Sequence, residues 1–412
     1  MQGSFRSARW AGSLPSLPAM GDRGSLKIAQ VNVYFKPFMV GGAEWYVYNI
    51  STELVKMGHD VHVFTADRCN GERAPSTETM GGISVRRLPL KIDWTYRTKV
   101  WDGLCDALSD GSFDVIHTYD YAQPHSVDAI RAGRRAGSRT VLTVFDVHSM
   151  IPRVWYKQLP MKFFEGYMAR RTLPGADRIL VRAPNLVQPI VELGGHADRI
   201  LVTPSGIRDA SLGDFDGALF RERYKVGGSP MILYLGRLNP LKGPQDLLAA
   251  APAILKEHPD ASFVFVGPDQ SGYAKTLGSQ ADSLGIGQHV HLVGPIYDFD
   301  EKMQAYAACQ VFVLPTAYEG TSQAIFEAMS QGKPVVATKV GGVPYQISDG
   351  EEGYLVEHGD VNMLAARINE LLGNQSLAAE MGRKGRERVR SNRYSILATR
   401  LSEIYDQART SN

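Results

Sequence analysis

Arg237 and Lys242 stand five residues apart in Gly236-Arg237-Leu238-Asn239-Pro240-Leu241-Lys242-Gly243, between a strand-like run and a helix-like one. A guanidinium fork and an ammonium point charge on one glycine-bounded loop suit a diphosphate. Glu319 and Glu327 stand eight apart in Glu319-Gly320-Thr321-Ser322-Gln323-Ala324-Ile325-Phe326-Glu327. Such carboxylates can accept hydrogen bonds from the neighbouring hydroxyls of a sugar or ribose. Gly320 and Thr321 can offer backbone amides at the start of the helix that carries Glu327. A third group is Gly41-Gly42-Ala43-Glu44. Adjacent glycines let a backbone approach an anion or an acceptor closely. Each group also has a plain reading: a solvated loop, a glutamate favoured by the helix dipole, an ordinary turn.

The elements around these residues decide between the readings. KIAQVNV (27–33) reads as a buried strand, 43–58 as an amphipathic helix and DVHVFTA (60–66) as a second strand. Further strands are expected at 115–119, 140–144, 178–181 and 199–204. A second series follows at 231–236, 262–267, 289–294, 311–316, 334–338 and 353–356, with helices at 244–258, 272–284, 299–309, 322–332 and 361–373. Continuous apolar strands alternating with helices imply parallel sheets covered on both faces. The fold expected is α/β, with two Rossmann-like domains facing a cleft: 26–204 and 230–388, a linker at 205–229, and a C-terminal helix within 389–412 crossing back to the first domain. Open parallel sheets bind ligands at the carboxyl ends of their strands, where all three groups fall.

Composition narrows the classes. The chain has 412 residues, 44% hydrophobic and 21% charged, as a globular two-domain protein should. Its net charge of +2 argues against nucleic acid as a partner. No apolar run approaches the ~20 residues of a membrane span. Cys69, Cys105 and Cys309 are far apart and form neither a disulfide framework nor a zinc site, so a reducing cytoplasm is expected. Residues 1–25 lack the apolar core of a signal peptide and read as a disordered lead, with Met20 the expected start.

GGAE, GRLNPLKG, EGTSQAIFEA followed by GKPVVATKVGGVP, and the closing GYLV resemble glycosyltransferase family 4. These are retaining sugar transferases with a GT-B fold and an E-x7-E motif, and the likeness spans about 27–408. It implies a transfer from a nucleotide diphosphate-sugar to a glycan, lipid-linked or small-molecule acceptor. By position, Arg237 and Lys242 would hold the donor diphosphate. Glu319 would contact donor-sugar hydroxyls and Glu327 the ribose. The amides of Gly320 and Thr321 would meet sugar or phosphate oxygens, and Gly42 would approach the phosphate or reacting centre. Glu319, Arg237 and Lys242 are then the catalytic set. No cofactor beyond the substrate and no metal is expected.

The sequence departs from the family at one informative place. A T-x-H-D pattern is usual after the strand at 140–144, and here Phe145 occupies the His position in Thr143-Val144-Phe145-Asp146. His148 lies three residues on. Phe145, His148, Gly41 and His117 are assigned to the acceptor side, although a histidine inside VIHTY also suits simple packing. Two readings compete with transfer: a nucleotide-sugar 2-epimerase of the same fold, and a silent binding protein, which Phe145 keeps open. Asp298-Phe299-Asp300 and Asp214-Phe215-Asp216 have a D-x-D form, but Asp298 precedes a helix and reads as its cap.

Between Ile83 and Arg182 sixteen Lys/Arg face ten Asp/Glu. Within this stretch, 150–171 mixes Met150, Ile151, Trp155, Tyr156, Phe163, Phe164 and Met168 with Arg153, Lys157, Lys162, Arg170 and Arg171. A basic, aromatic helix can lie on an anionic membrane surface, so a peripheral contact is expected here. The alternative is that the aromatics pack inward and only the cations face water.

Overall fold

The computed structural model describes residues 24–39, 41–93, 99–151, 155–227 and 230–410. The lead expected at 1–25 lies outside them, apart from its last two residues. Two parallel sheets organise the chain. The strands of the first are β1 (Lys27–Val31), β2 (Asp60–Ala66), β3 (Thr77–Met80), β4 (Ile83–Leu88), β5 (Val115–Tyr119), β6 (Arg139–Val144), β7 (Arg178–Val181) and β8 (Ile200–Val202). They lie in the order β8-β7-β6-β5-β1-β2-β4-β3, parallel except for the β3–β4 hairpin at one edge. The second holds β9 (Met231–Leu235), β10 (Ser262–Val266), β11 (Val290–Gly294), β12 (Val311–Leu314), β13 (Val335–Thr338) and β14 (Gly353–Val356). Its order is β11-β10-β9-β12-β13-β14, parallel throughout.

The strands are central because their residues are apolar on both faces, as with Ile232 and Leu233, neither of which touches water. In the second sheet the chain winds outward from β9 to β11, then returns to the other side at β12. The loops after β9 and β12 therefore leave in opposite directions and open a crevice between them. The corresponding reversal in the first sheet falls at β1 and β5.

The helices that position the site are α1 (Gly42–Lys56), α2 (Pro124–Ala136), α3 (Trp155–Thr172), α4 (Pro244–Glu257), α5 (Phe299–Ala308), α6 (Gln323–Ser330) and α7 (Tyr394–Thr410). α1 buries Tyr46, Val47, Ile50 and Leu54 at helical spacing, with Glu44 in its first turn and Lys56 in its last, each favoured by the dipole there. The stretch expected as linker, 205–229, contains a helix at Gly217–Arg223 whose Phe220 joins the core of the second domain. The chain crosses between domains twice, and the crossings touch. Ile207 donates to the carbonyl of Asn392 (2.9 Å) and accepts from Tyr394 (2.9 Å). α7 then lies against the first domain, where Tyr394, Leu397, Leu401 and Tyr405 share a core with α1 and β1.

Candidate active site

The loop after β9 is shaped by its own side chains. Asn239 accepts the amide of Lys242 through its side-chain oxygen (3.0 Å), closing a short turn over Pro240–Lys242. Gly243 ends that turn at φ +74°, where a β-carbon would lie 1.9 Å from the Pro315 carbonyl. Only glycine lets the loop press against the end of β12. Lys242 consequently reaches across the crevice and donates to Glu319 Oε2 at 2.8 Å. Arg237 is exposed and forms no ion pair among the described residues.

The loop after β12 is held from behind. Gly342 donates to the Glu319 carbonyl (3.0 Å), and Gln346 brackets Ser322, accepting from its amide at 2.7 Å and donating to its carbonyl at 2.8 Å. Gly341 sits at φ +53°, with a notional β-carbon 1.8 Å from the Glu319 carbonyl. Gly341→Ala combines a left-handed backbone, costing about 1–2 kcal/mol for an L side chain, with a backbone clash. The expected result is an unfolding free energy lowered by at least that much and lower turnover or sugar selectivity, since Glu319 must move. Wild-type stability in a urea titration would dismiss this account of the loop. Glu327 lies one turn into α6, buried, accepting from Lys302 Nζ (2.6 Å) and Tyr306 Oη (3.1 Å).

The first domain approaches this wall closely. A β-carbon on Gly320 would stand 3.1 Å from the Phe145 carbonyl and 3.5 Å from the Asp146 carboxylate. Tyr318 donates its hydroxyl to Asp146 across the cleft. Burial pushes the Asp146 carboxyl up to about 6, against the pull of Tyr318 and His148. Ser205 and Thr321 join through their hydroxyls at 2.7 Å. Gly42 faces the Gln323 side chain, 3.7 Å from a notional β-carbon. Gly41 donates its amide to Glu44 Oε2 at 2.7 Å and so closes the start of α1. A second opening between the domains is lined by Trp45 and Asn49 from α1, by Tyr297, Phe299 and Lys302, and by Glu327.

Residues 217–388 match the family described as glycosyl transferases group 1, and residues 41–206 match the glycosyl transferase 4-like domain. The chain belongs to glycosyltransferase family 4. A D-inositol 3-phosphate glycosyltransferase of Acidothermus cellulolyticus is 28% identical over 395 residues, covering 87% of this chain and 85% of its own. A GDP-mannose-dependent alpha-(1-6)-phosphatidylinositol monomannoside mannosyltransferase of Mycolicibacterium smegmatis is 33% identical over 195 residues, 45% of this chain and 50% of its own. HepE of Anabaena, solved with UDP and glucose, superposes with a TM-score of 0.73 at 20% identity over 93% of this chain and all of its own. The fold of this glycosyltransferase is therefore GT-B.

Within the glycosyltransferase the acceptor-side residues separate. His148 Nε2 lies 3.0 Å from both carboxylate oxygens of Asp120, against the Tyr121 ring, so it is tied into the first domain. His117 is corrected by the structure. It is fully buried, with one ring nitrogen 2.6 Å from Tyr405 Oη and the other 2.8 Å from Thr143 Oγ1. Burial first, and then the Arg182 charge, lower its pKa to about 3. It is a neutral packing residue between sheet and α7, not a lining of the cleft. Asp298 accepts the Glu301 amide at 2.9 Å and caps α5.

α3 divides the aromatic stretch between the two expectations. Phe164 and Met168 pack against the first-domain core. Leu159, Phe163 and Tyr167 face outward, 57%, 74% and 53% exposed, at a strict four-residue spacing. Lys162, Arg170 and Arg171 are exposed beside them. Arg153 and the side chains of Trp155, Tyr156 and Lys157 lie outside the described residues. Sequence reasoning gave no role to Asp146, Tyr318 or Lys302. Their meeting partners are distant in sequence, and only Asp146 stood inside a quoted motif.

Proposed function

We propose that this glycosyltransferase moves a sugar from a nucleotide diphosphate-sugar to an acceptor, with retention at the anomeric carbon and without a metal ion. What supports this is the convergence of Lys242, Glu319 and the start of α6 on one wall, facing Phe145 and Asp146 across a close contact. Arg237 and Lys242 bind the diphosphate and neutralise it as the bond to the anomeric carbon breaks. The acceptor oxygen bonds to that carbon on the same face, and its proton passes to the departing diphosphate oxygen. Glu319 orients the sugar, and the opening beside Glu327 takes the nucleoside. The closed cleft limits transfer to water.

A thermal-shift screen of UDP-, GDP- and ADP-sugars, with and without EDTA, tests the reading. A donor at 100 times its dissociation constant should add about 2.7 kcal/mol of apparent stability, unchanged by chelation. Loss of binding in EDTA, restored by magnesium or manganese, would count against metal independence. Phe145 keeps one rival in view. A silent binding protein would bind the nucleotide and release no nucleoside diphosphate with any acceptor.

The acceptor side carries its own proposal: a lipid-linked acceptor met at an anionic membrane surface through α3. Outward Leu159, Phe163 and Tyr167 supply shallow apolar insertion, and Lys162, Arg170 and Arg171 supply attraction of ~1 kcal/mol each. Wild type should pellet with anionic liposomes at low salt and release at high salt. A variant with Lys157, Lys162, Arg170 and Arg171 changed to Glu should stay in solution. Equal pelleting of the two proteins, or none at low salt, would favour a water-soluble acceptor.

A further inference from the structure

Arg182 directly follows β7 and is only 3% exposed, yet it forms no ion pair among the described residues. Its Nε and Nη1 are buried without any hydrogen-bond acceptor. The comparison within the same sheet is Arg87, the other buried arginine of the described residues. Arg87 donates to the carbonyls of Pro75 and Lys36 and pairs with Glu78, so that only its Nε goes without an acceptor. A buried guanidinium with unmet N–H groups is costly, and folds avoid it unless a partner arrives.

The surroundings of Arg182 are aromatic. Its guanidinium lies 4.1 Å from the Tyr46 ring centroid and 5.7 Å from that of Phe145. Tyr46 also meets the Tyr394 ring at 5.9 Å. Stacking satisfies the faces of the planar cation and does nothing for the in-plane N–H groups of Nε and Nη1. The place is equally specific. Tyr46 is one turn into α1 behind Gly41 and Gly42, and Phe145 offers its carbonyl to the Gly320 approach. Gln323, in the first turn of α6, donates to Tyr394 Oη at 2.7 Å. Arg182 thus lies beneath the contact of α1 with the start of α6, two aromatic rings away from Gln323.

We propose that Arg182 is an anion receptor at the cleft floor that takes one phosphate group of a bound substrate when the cleft opens. This rests on the transferase reading, in which phosphate arrives from either of two sources: the donor diphosphate, or a phosphate carried by the acceptor. The chemistry is shared, because either supplies the oxygens that the guanidinium lacks. The ring of Phe145 braces the cation from the side, so the apolar residue at that position and the unmatched arginine belong to one arrangement.

The test titrates wild type, Arg182→Gln and Arg182→Lys with UDP, GDP and ADP and their nucleosides, with orthophosphate, and with D-inositol 3-phosphate and inositol. Arg182→Gln should lose tenfold to a hundredfold in affinity for a phosphate-bearing ligand and nothing for its dephosphorylated counterpart, and Arg182→Lys should recover part of the loss. A loss confined to nucleoside diphosphates assigns the donor. A loss confined to orthophosphate or the inositol phosphate assigns the acceptor. The unliganded melting temperature of Arg182→Gln should equal or exceed that of wild type, since an unmatched charge is removed. A lowered melting temperature with phosphate affinities within twofold of wild type would overturn the proposal in favour of a packing role. Wild type binding none of the phosphates would overturn it too. Failure to bind any nucleoside diphosphate, with orthophosphate binding still lost in Arg182→Gln, would sink the donor reading alone.

Discussion

Lys242→Ala should weaken nucleoside diphosphate binding by one to two orders of magnitude while the protein remains folded. The loop that carries Lys242 is shaped by Asn239 and Gly243, which the substitution leaves in place. What disappears is a charge-assisted contact to the diphosphate, worth about 1.5–3 kcal/mol, and tenfold in affinity is about 1.4. Glu319 also loses the cation 2.8 Å away and becomes a bare carboxylate beside an anionic ligand. Arg237→Ala should cost a similar amount for a simpler reason: its exposed side chain forms no ion pair or side-chain hydrogen bond among the described residues. Isothermal titration with the nucleotide identified by the donor screen gives the comparison. Unchanged affinity in both variants would remove the diphosphate assignment.

The two glutamates should separate under conservative substitution. Glu327→Gln should reduce affinity for the bare nucleoside diphosphate as well as for the sugar nucleotide, because the ribose is common to both. Glu319→Gln should spare the bare nucleotide and reduce turnover or sugar selectivity, since only the sugar reaches it. Glutamine is the better probe than alanine at 327. Tyr306 Oη is fully buried and donates to that carboxylate, so truncation would strand it at about 1–3 kcal/mol. Equal weakening of the free nucleotide by both substitutions would show the two roles to be misassigned.

The second domain was more legible than the first, for a physical reason. Its strands are continuous apolar runs such as Met231–Leu235 and Ser262–Val266, which a period-free hydrophobic reading finds directly. The hairpins of the first domain escaped that reading. Thr77–Met80 alternates polar residues at a sheet edge, and Leu90–Asp93 pairs with a three-residue partner, Lys99–Trp101. Such strands bury too little to leave a pattern. The loop residues of the site were found because glycines and charges mark them locally. Tyr318 and Asp146 were not assigned, since nothing in either segment reports a partner 172 residues away. Arg182 was hidden differently. It ends an apolar strand, and a single arginine there looks like the point where the chain meets water.

α7 has a bearing on how the polypeptide becomes a protein. Leu397, Leu401 and Tyr405 complete a wall of the first domain, and Tyr405 closes a hydrogen bond on His117, 288 residues earlier. During synthesis the first sheet emerges long before that wall exists, whereas the second can close over its own contiguous segment. The nascent first half must therefore wait, incompletely covered, until α7 has left the ribosome. A premature stop before residue 394 would remove a tail and also leave the earlier domain open along α1.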